Sequence, residues 1–396
     1  MVRRVVRGQL VLPDGVLDDG MMEIEGNRIV AVRPAAQARD EGVNDDWREH
    51  WITPGFIDIH THGIGGRDCM DEECDSLPEI ARRLLAHGVT GFLATTVTQS
   101  VAATAAAIER ARAFMALQAD ALRSGALPQG ARLLGLHLEG PFIAPTARGA
   151  QNPDYILPPD VSVLTRLLDA AQGCVRIVTL APELAGARDL IDALTAAGVR
   201  VSMGHTTASC EQAQTAIAAG VKHVTHCYNA MTGLHHRAPG VVGAALTTPG
   251  VMSELIADTV HVHPVAMRVL ITMKPRDDVA LISDSIAAAD MPDGTYELGG
   301  LLVTTKDGVA RLAGGELAGS TLTLERAVGN LVRLGLASLC DAVYMASASP
   351  AHALGLDERK GRLAVGCDAD YAVWDRQGAL VEVALGGRTV FGSTRT

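Results

Sequence analysis

Aromatic residues make up only 3% of this 396-residue chain, too few for the stacking platform on which single-stranded nucleic acids lie. Positive charge is also short. Against 34 Lys and Arg stand 45 Asp and Glu, a formal net charge of −11, so the long-range field repels a polyanion and nucleic-acid binding is not expected. A single small phosphate is a different matter, because a few local Arg and His residues suffice to hold one. No apolar run approaches the roughly 20 residues that span a bilayer, so no membrane association is expected. The basic start Met1-Val2-Arg3-Arg4-Val5-Val6-Arg7 leads into no apolar core of the signal-peptide kind. The seven cysteines (69, 74, 174, 210, 227, 340 and 367) are odd in number and form no CxxC pair, which suits reduced thiols in a cytoplasm better than a disulfide framework.

What the chain does have is apolar bulk: 48% of its residues are hydrophobic, enough for one large core and a smaller companion. Through the middle, short β-rich runs alternate with Ala-rich helical ones. Eight candidate strands are Gly55–His60, Gly91–Val97, Leu133–Glu139, Val175–Leu180, Arg200–His205, His223–His226, Met252–Ala257 and Ala280–Asp284. Helical stretches such as Leu77–His87, Ala102–Ala121 and Asp189–Ala197 lie between them. That alternation predicts an α/β fold, a (β/α)8 TIM barrel. A doubly wound sheet would need a Gly-rich dinucleotide loop, and Gly63-Ile64-Gly65-Gly66 lacks the GxGxxG pattern. Turn signals such as Pro13-Asp14-Gly15 and Glu25-Gly26-Asn27 mark the ends as short strands. The expected organisation is therefore a barrel over residues 54–350 and a small β-sandwich domain built from residues 1–53 and 351–396.

The acids and histidines carry the chemical signal. His60 and His62 close the first strand two residues apart, so both imidazoles point the same way. Glu139, His205, His226 and Asp284 end the third, fifth, sixth and eighth strands. Each alone has a bland reading: an HxH pair arises by chance, a strand-end acid is usually a cap or a surface charge, and a buried His is usually a satisfied core residue. Together they fall on the one face of a barrel where active sites are built. Imidazole and carboxylate ligands suit a divalent metal, zinc first, with iron, cobalt and manganese compatible with the same donors. Such an ion lowers the pKa of bound water from 15.7 toward about 7, and Asp284 is placed to accept a proton and return it to a leaving amine. His137, two residues before Glu139, points to the same interior with barrel filling as its equal alternative.

At this point the chain resembles the amidohydrolase superfamily and, within it, the N-acetylglucosamine-6-phosphate deacetylases. The likeness runs through Thr53-Pro54-Gly55-Phe56-Ile57-Asp58-Ile59-His60-Thr61-His62-Gly63, His137-Leu138-Glu139-Gly140-Pro141-Phe142 and Gly204-His205-Thr206. It continues in Thr225-His226-Cys227-Tyr228-Asn229-Ala230-Met231, Ser283-Asp284, Met291-Pro292-Asp293-Gly294 and Leu317-Ala318-Gly319-Ser320-Thr321-Leu322-Thr323. The resemblance implies that Glu139, His205 and His226 hold a principal metal, and that His60 and His62 help to hold a second, giving one or two ions per subunit. It makes Asp284 the general base and then acid, and puts Asn229 and Ala230 against the sugar or its phosphate. Arg237 and His261 would bind the phosphate, Arg237 reaching across from the second subunit of a homodimer, while Leu317, Ala318 and Gly319 line the acetyl or sugar pocket. An Arg fits that task because its fork of donors matches phosphate oxygens.

The chain departs from the family pattern at three places. Gln151, after Gly149-Ala150, stands where many relatives have a His that polarises the scissile carbonyl; Ala150 and Gln151 are still read as substrate-side residues. Asp258-Thr259-Val260-His261 replaces the usual Asp-Gly-x-His, adding bulk and restricting the backbone beside the phosphate site. Ser285 follows Asp284 where Ala is frequent.

The expected reaction is hydrolysis of the acetamide of N-acetylglucosamine-6-phosphate, with the galactosamine isomer as the close alternative. A cyclic-amide hydrolase would require a carbamylated Lys at the end of the fourth strand, and Ile177-Val178-Thr179-Leu180-Ala181-Pro182 contains none. A nucleoside deaminase would not account for Arg237 and His261. A non-catalytic barrel scaffold would show gaps in the ligand set. A thiol mechanism at Cys227 has no need to exist where a metal water is available. His50, His87, His223, His235, His236, His263 and His352 are read as structural or solvent-facing.

Overall fold

The protein, seen in a computed structural model, is described over residues 3–37, 42–126 and 129–392. Eight strands form one parallel sheet in chain order: Phe56–Thr61, Val89–Thr96, Arg132–Glu139, Val175–Leu180, Arg200–Met203, Val221–Val224, Met252–Ile256 and Val279–Ile282. The sheet closes on itself where Thr61 bridges Ser285 in parallel and the Asp284 N–H donates to the His60 carbonyl at 2.9 Å. The result is a (β/α)8 barrel. Strands such as Phe56–Thr61 and Val279–Ile282 are buried on both faces, which is why they read as apolar runs and not as alternating ones.

The helices between the strands follow local rules. Ser76–Leu85 buries Leu77, Ile80, Ala81 and Leu84, one stripe at helical spacing. Val101–Arg123 starts at Ser100, whose side chain accepts from the Ala103 N–H, and Cys210–Ala219 opens with a Ser209/Gln212 capping box. The stretches expected over Leu77–His87, Ala102–Ala121 and Asp189–Ala197 form helices over Ser76–Leu85, Val101–Arg123 and Ala187–Ala196.

The two ends of the chain combine in a seven-stranded sheet. Asp45–Pro54 sits at its centre, parallel to Arg3–Leu12 on one side and antiparallel to Tyr371–Trp374 on the other. Its core gathers Val6, Leu10, Met22, Ile24, Ile52, Tyr371 and Val373. Phe56 of the barrel stacks on Trp374 of this sheet with centroids 5.5 Å apart. Of the segments assigned to the small domain, residues 1–2, 38–41 and 393–396 lie outside the described residues. A three-stranded sheet, Thr295–Leu298, Leu301–Lys306 and Val309–Leu312, follows the eighth barrel strand and was not foreseen. It leads into the Leu317-Ala318-Gly319 segment beside the barrel mouth. Among the described residues no helix is long and apolar enough to cross a membrane.

Candidate active site and metal centre

The barrel carries its acids and imidazoles to one end; Glu139 is the last residue of its strand as expected, whereas others lie beyond theirs. His205, His226 and Asp284 each come two residues after their strand stops, at Met203, Val224 and Ile282. Their φ angles are 46°, 29° and 48°. A non-Gly residue in this left-handed region costs of order 1–3 kcal/mol and persists only where its surroundings hold it. Here the His205 carbonyl accepts from the Ala144 N–H at 2.9 Å, the His226 N–H donates to Glu254 at 3.0 Å, and the Asp284 N–H is held by His60. Leaving the extended conformation turns each side chain across the mouth.

Two clusters result. Glu139 Oε1 lies 3.0 Å from His205 Nε2 and 3.1 Å from His226 Nε2, and those two nitrogens are 3.1 Å apart. His60 Nε2 and His62 Nε2 are 3.3 Å apart, and Asp284 Oδ1 is 3.4 Å from the first and 3.2 Å from the second. Each trio, Glu139 with His205 and His226, and His60 with His62 and Asp284, converges tightly enough to surround one ion. Imidazole nitrogens this close need a proton or a cation between them. The His205 Nδ1–H donates to the Ala147 carbonyl at 3.0 Å, which leaves Nε2 to face Glu139. The donor set fits a divalent ion.

Charge pairing governs protonation here. Burial opposes ionisation of Glu139, yet His60, His205 and His226 hold its carboxyl well below the usual range. Asp284 is likewise lowered against its burial by His60, His62 and His226. Burial disfavours charge on His62, but Asp284 and Glu139 outweigh it and raise its pKa to about 9. His137 goes the other way. Burial and the charge of His60 lower it to about 3, and its nitrogens are taken by the Ile59 carbonyl at 3.2 Å and the Thr179 hydroxyl at 2.7 Å. It stays neutral and packs edge-on to His60 at 4.6 Å.

A cavity of about 340 Å³ opens above these clusters, lined by His62, Glu139, His205, His226 and Asp284 and by Ala150, Gln151, Asn229, Ala230, His261, Leu317 and Gly319. A cleft of about 420 Å³ on the outer wall, between Ser76–Leu85 and Val101–Arg123, has no converging imidazoles. Gln151 lines the site but its amide is committed: Nε2 donates to Glu139 Oε2 at 2.6 Å and Oε1 accepts from the Thr98 N–H at 2.6 Å. His261 is fixed by Asp258, whose carboxylate accepts from Nδ1 at 2.7 Å and from the backbone N–H groups of Val260 and His261 at 2.8 Å. Two nominated residues are elsewhere. Ala318 is fully buried behind the wall, in a cluster with Ile286 and Val97. Arg237 is exposed, bonded to His236 Nε2 at 2.8 Å, and does not line the cavity of its own chain.

Gly319 is required where it stands. Its φ is 55°, and a Cβ there would lie 2.4 Å from Ile286 Cγ2 and 3.0 Å from the Asp284 carbonyl oxygen. The next residue braces the site, its N–H donating to that same oxygen at 2.7 Å and the Ser320 hydroxyl to the Ser283 carbonyl.

Sequence reasoning passed over Glu254. It lies fully buried in the seventh strand and contacts His60, His223 and the His226 backbone. The signal was a lone acid inside the apolar run Met252-Ser253-Glu254-Leu255-Ile256. His223, read as bland, is one of its partners. Of the others, His87 bonds Glu325 at 2.9 Å, His263 caps the helix Pro264–Met273, and His235 and His236 are exposed. Burial pushes the Cys227 thiol up to about 12, so it is no nucleophile at neutral pH.

Known proteins share this architecture. The amidohydrolase family model matches residues 51–390. The chain is 39% identical over 370 residues to the N-acetylgalactosamine-6-phosphate deacetylase of Escherichia coli O157:H7, covering 93% of each. It is 41% identical over 322 residues to the N-acetylglucosamine-6-phosphate deacetylase of Bacillus subtilis, covering 81% of this chain and 80% of the other. Its fold matches a variant of the Mycobacterium smegmatis N-acetyl-D-glucosamine-6-phosphate deacetylase in complex with N-acetyl-D-glucosamine-6-phosphate, with a TM-score of 0.90, 33% identity and coverage of 98% and 100%. The chain belongs to the amidohydrolase family, in the branch that contains the N-acetylglucosamine-6-phosphate deacetylases.

Proposed function

We propose that this protein hydrolyses the acetamide of N-acetylglucosamine-6-phosphate to glucosamine-6-phosphate and acetate. The observation that carries the reading is the Glu139, His205 and His226 cluster facing Asp284 in one cavity. These three residues would hold a principal divalent ion, zinc first, and His60 and His62 with Asp284 a second. Such an ion supplies a water acidified toward neutral pKa and an electrophile for the carbonyl oxygen. The rest falls to the protein. Asp284, ionised and within hydrogen-bonding range of His60 and His62, takes the proton of the attacking water. As the carbon–nitrogen bond breaks, it delivers that proton to the amine nitrogen. Gln151 holds Glu139 in place, and its amide, committed to Glu139 and the Thr98 N–H, is a bracing group more than a substrate contact.

Asn229, Ala230, Ala150, Leu317 and Gly319 would enclose the sugar and acetyl group, and His261, steadied by Asp258, would meet the phosphate. Arg237 is exposed and does not line the cavity of its own chain, and Val265, Val269 and Met273 leave an apolar stripe exposed on the helix Pro264–Met273. Both features support a homodimer in which each Arg237 completes the partner's phosphate site. Seven free thiols support a reducing, cytoplasmic setting. Residues 1–53 with 351–396 would form the small domain and residues 54–350 the barrel, joined where Phe56 stacks on Trp374.

The test is amine release from N-acetylglucosamine-6-phosphate by metal-reconstituted protein, beside the unphosphorylated sugar and the galactosamine isomer. Fast, phosphate-dependent turnover of the first is expected. The galactosamine isomer is a live second substrate because the relative acting on it aligns over 93% of both chains. Activity confined to an unrelated amide would discard the sugar assignment and keep the metal hydrolase.

A further inference from the structure

Glu254 is a buried acid beneath the barrel mouth without a role in the reaction just described. Its carboxylate is fully enclosed and reaches the first strand, the sixth strand and the turn after the sixth. Oε2 accepts from His60 Nδ1 at 2.9 Å and from the His226 N–H at 3.0 Å, and Oε1 accepts from His223 Nε2 at 2.9 Å. A carboxylate in this setting can only accept, so each ring nitrogen that faces it carries a hydrogen.

We propose that Glu254 is a positioning residue: it holds the proton of His60 on Nδ1 and so presents the Nε2 lone pair, beside His62 and Asp284, to a second divalent ion. This deepens the metal-dependent reading above and rests on it. The geometry leaves His60 little choice. With Nδ1–H committed to Glu254, Nε2 lies 3.3 Å from His62 Nε2, 3.4 Å from Asp284 Oδ1 and 3.6 Å from Glu139 Oε1. The neutral His137 ring, edge-on at 4.6 Å, stops the imidazole from turning. The same Glu254 oxygen anchors the backbone of His226, a member of the other trio. One acid therefore stands behind both ion positions, with the carboxylate–imidazole–metal order that fixes a ligand's tautomer and raises its basicity.

The competing role is plain core satisfaction, in which Glu254 does no more than neutralise two buried imidazoles. Two substitutions separate them. In Glu254→Gln the amide oxygen keeps the place held by two donors, His60 Nδ1–H and the His226 N–H. The amide nitrogen then turns to His223, whose Nδ1 has no partner among the described residues and can take the displaced proton. Glu254→Leu keeps the bulk and removes the acceptor.

The experiment is zinc titration by calorimetry, with zinc per chain measured after buffer exchange, on full-length wild type, E254Q and E254L. Two ions are expected in wild type and E254Q. In E254L the second is expected to bind roughly 10–100-fold more weakly, leaving one. Nitrogen-15 ring spectra of the zinc-loaded wild type and E254Q should show the His60 proton on Nδ1 in both, and the His223 proton moved from Nε2 to Nδ1 in E254Q. Two tightly bound ions in E254L, a single ion in wild type, or His60 protonated on Nε2 would each overturn the proposal. The spectra decide the matter even if E254L does not fold. None of these readouts uses substrate, so inactivity on the amino sugar in a two-zinc protein would sink the deacetylase reading and leave the role of Glu254 standing.

Discussion

A handful of backbone and proton positions set the behaviour of this site. Asp284 stands apart because its buried, ionised carboxylate lies in the cavity within 3.4 Å of His60 Nε2 and 3.2 Å of His62 Nε2. Asp284→Asn is expected to lower kcat by about 10²–10⁴-fold, the range for a lost proton carrier, with zinc content of the first trio unchanged. Near-normal turnover in that variant would remove Asp284 from the role. Gly319 makes a different demand. A methyl group there meets Ile286 and the Asp284 carbonyl, so Gly319→Ala should cost kcat more than it raises KM, which steady-state kinetics would read. Thr259 is the opposite case, a β-branched residue at φ 69°, where the native backbone carries strain. Thr259→Gly should stabilise the fold by about 1 kcal/mol, with strain relief exceeding the added entropy loss. A lowered urea midpoint would contradict that.

At the scale of elements, the buried carboxylate of Asp370 helps to tie the small sheet to the barrel. Asp370 precedes the strand Tyr371–Trp374; it accepts from Lys360 Nζ at 2.6 Å and the Gly386 N–H at 2.7 Å, and lies 3.8 Å from Arg132 at the start of the third barrel strand. Burial resists its charge, but Lys360 and Arg132 outweigh that and hold its pKa below the usual value. The sign follows from linkage. A folded-state pKa below the unfolded one gives stability that is fully present above about pH 4 and is lost as pH falls through the folded value. Asp370→Asn should therefore cost about 3 kcal/mol near neutrality, as expected for a broken buried pair. The gap to wild type should narrow as the pH drops below about 4. Denaturant melts at pH 7 and pH 3 would check this, and a gap that stays constant would count against the ion-pair origin.

For the whole molecule, the proposed sharing of Arg237 between subunits makes a complementation test possible. Arg237→Ala and Asp284→Asn chains, each nearly inactive alone, should recover roughly a quarter of wild-type turnover when unfolded and refolded together, because half the dimers are mixed and each has one complete site. No recovery from a demonstrably mixed dimer would place the phosphate site within one chain. Divalent metal should also raise the melting temperature, since an ion held by the folded trios would find no comparable site in the unfolded chain.

Much of this was legible before any fold was seen. The eight strands could be read because parallel barrel strands are buried on both faces and so appear as apolar runs, and the HxH pair could be read because strand side chains alternate. The sequence by itself determined which residues sit near strand ends, and with them the barrel and the donor types available to a metal. Only the tertiary structure decided the rest. The left-handed turns at His205, His226 and Asp284, the commitment of Gln151 to Glu139, the exclusion of Ala318 and Arg237 from the cavity wall, and Glu254 beneath His60 all depend on what neighbouring strands bring alongside. The reason is physical. Periodicity reports which way one strand's side chains face, whereas a ligand's tautomer and a backbone's strained angle are set by hydrogen-bond partners from far along the chain, and a local pattern carries no record of those.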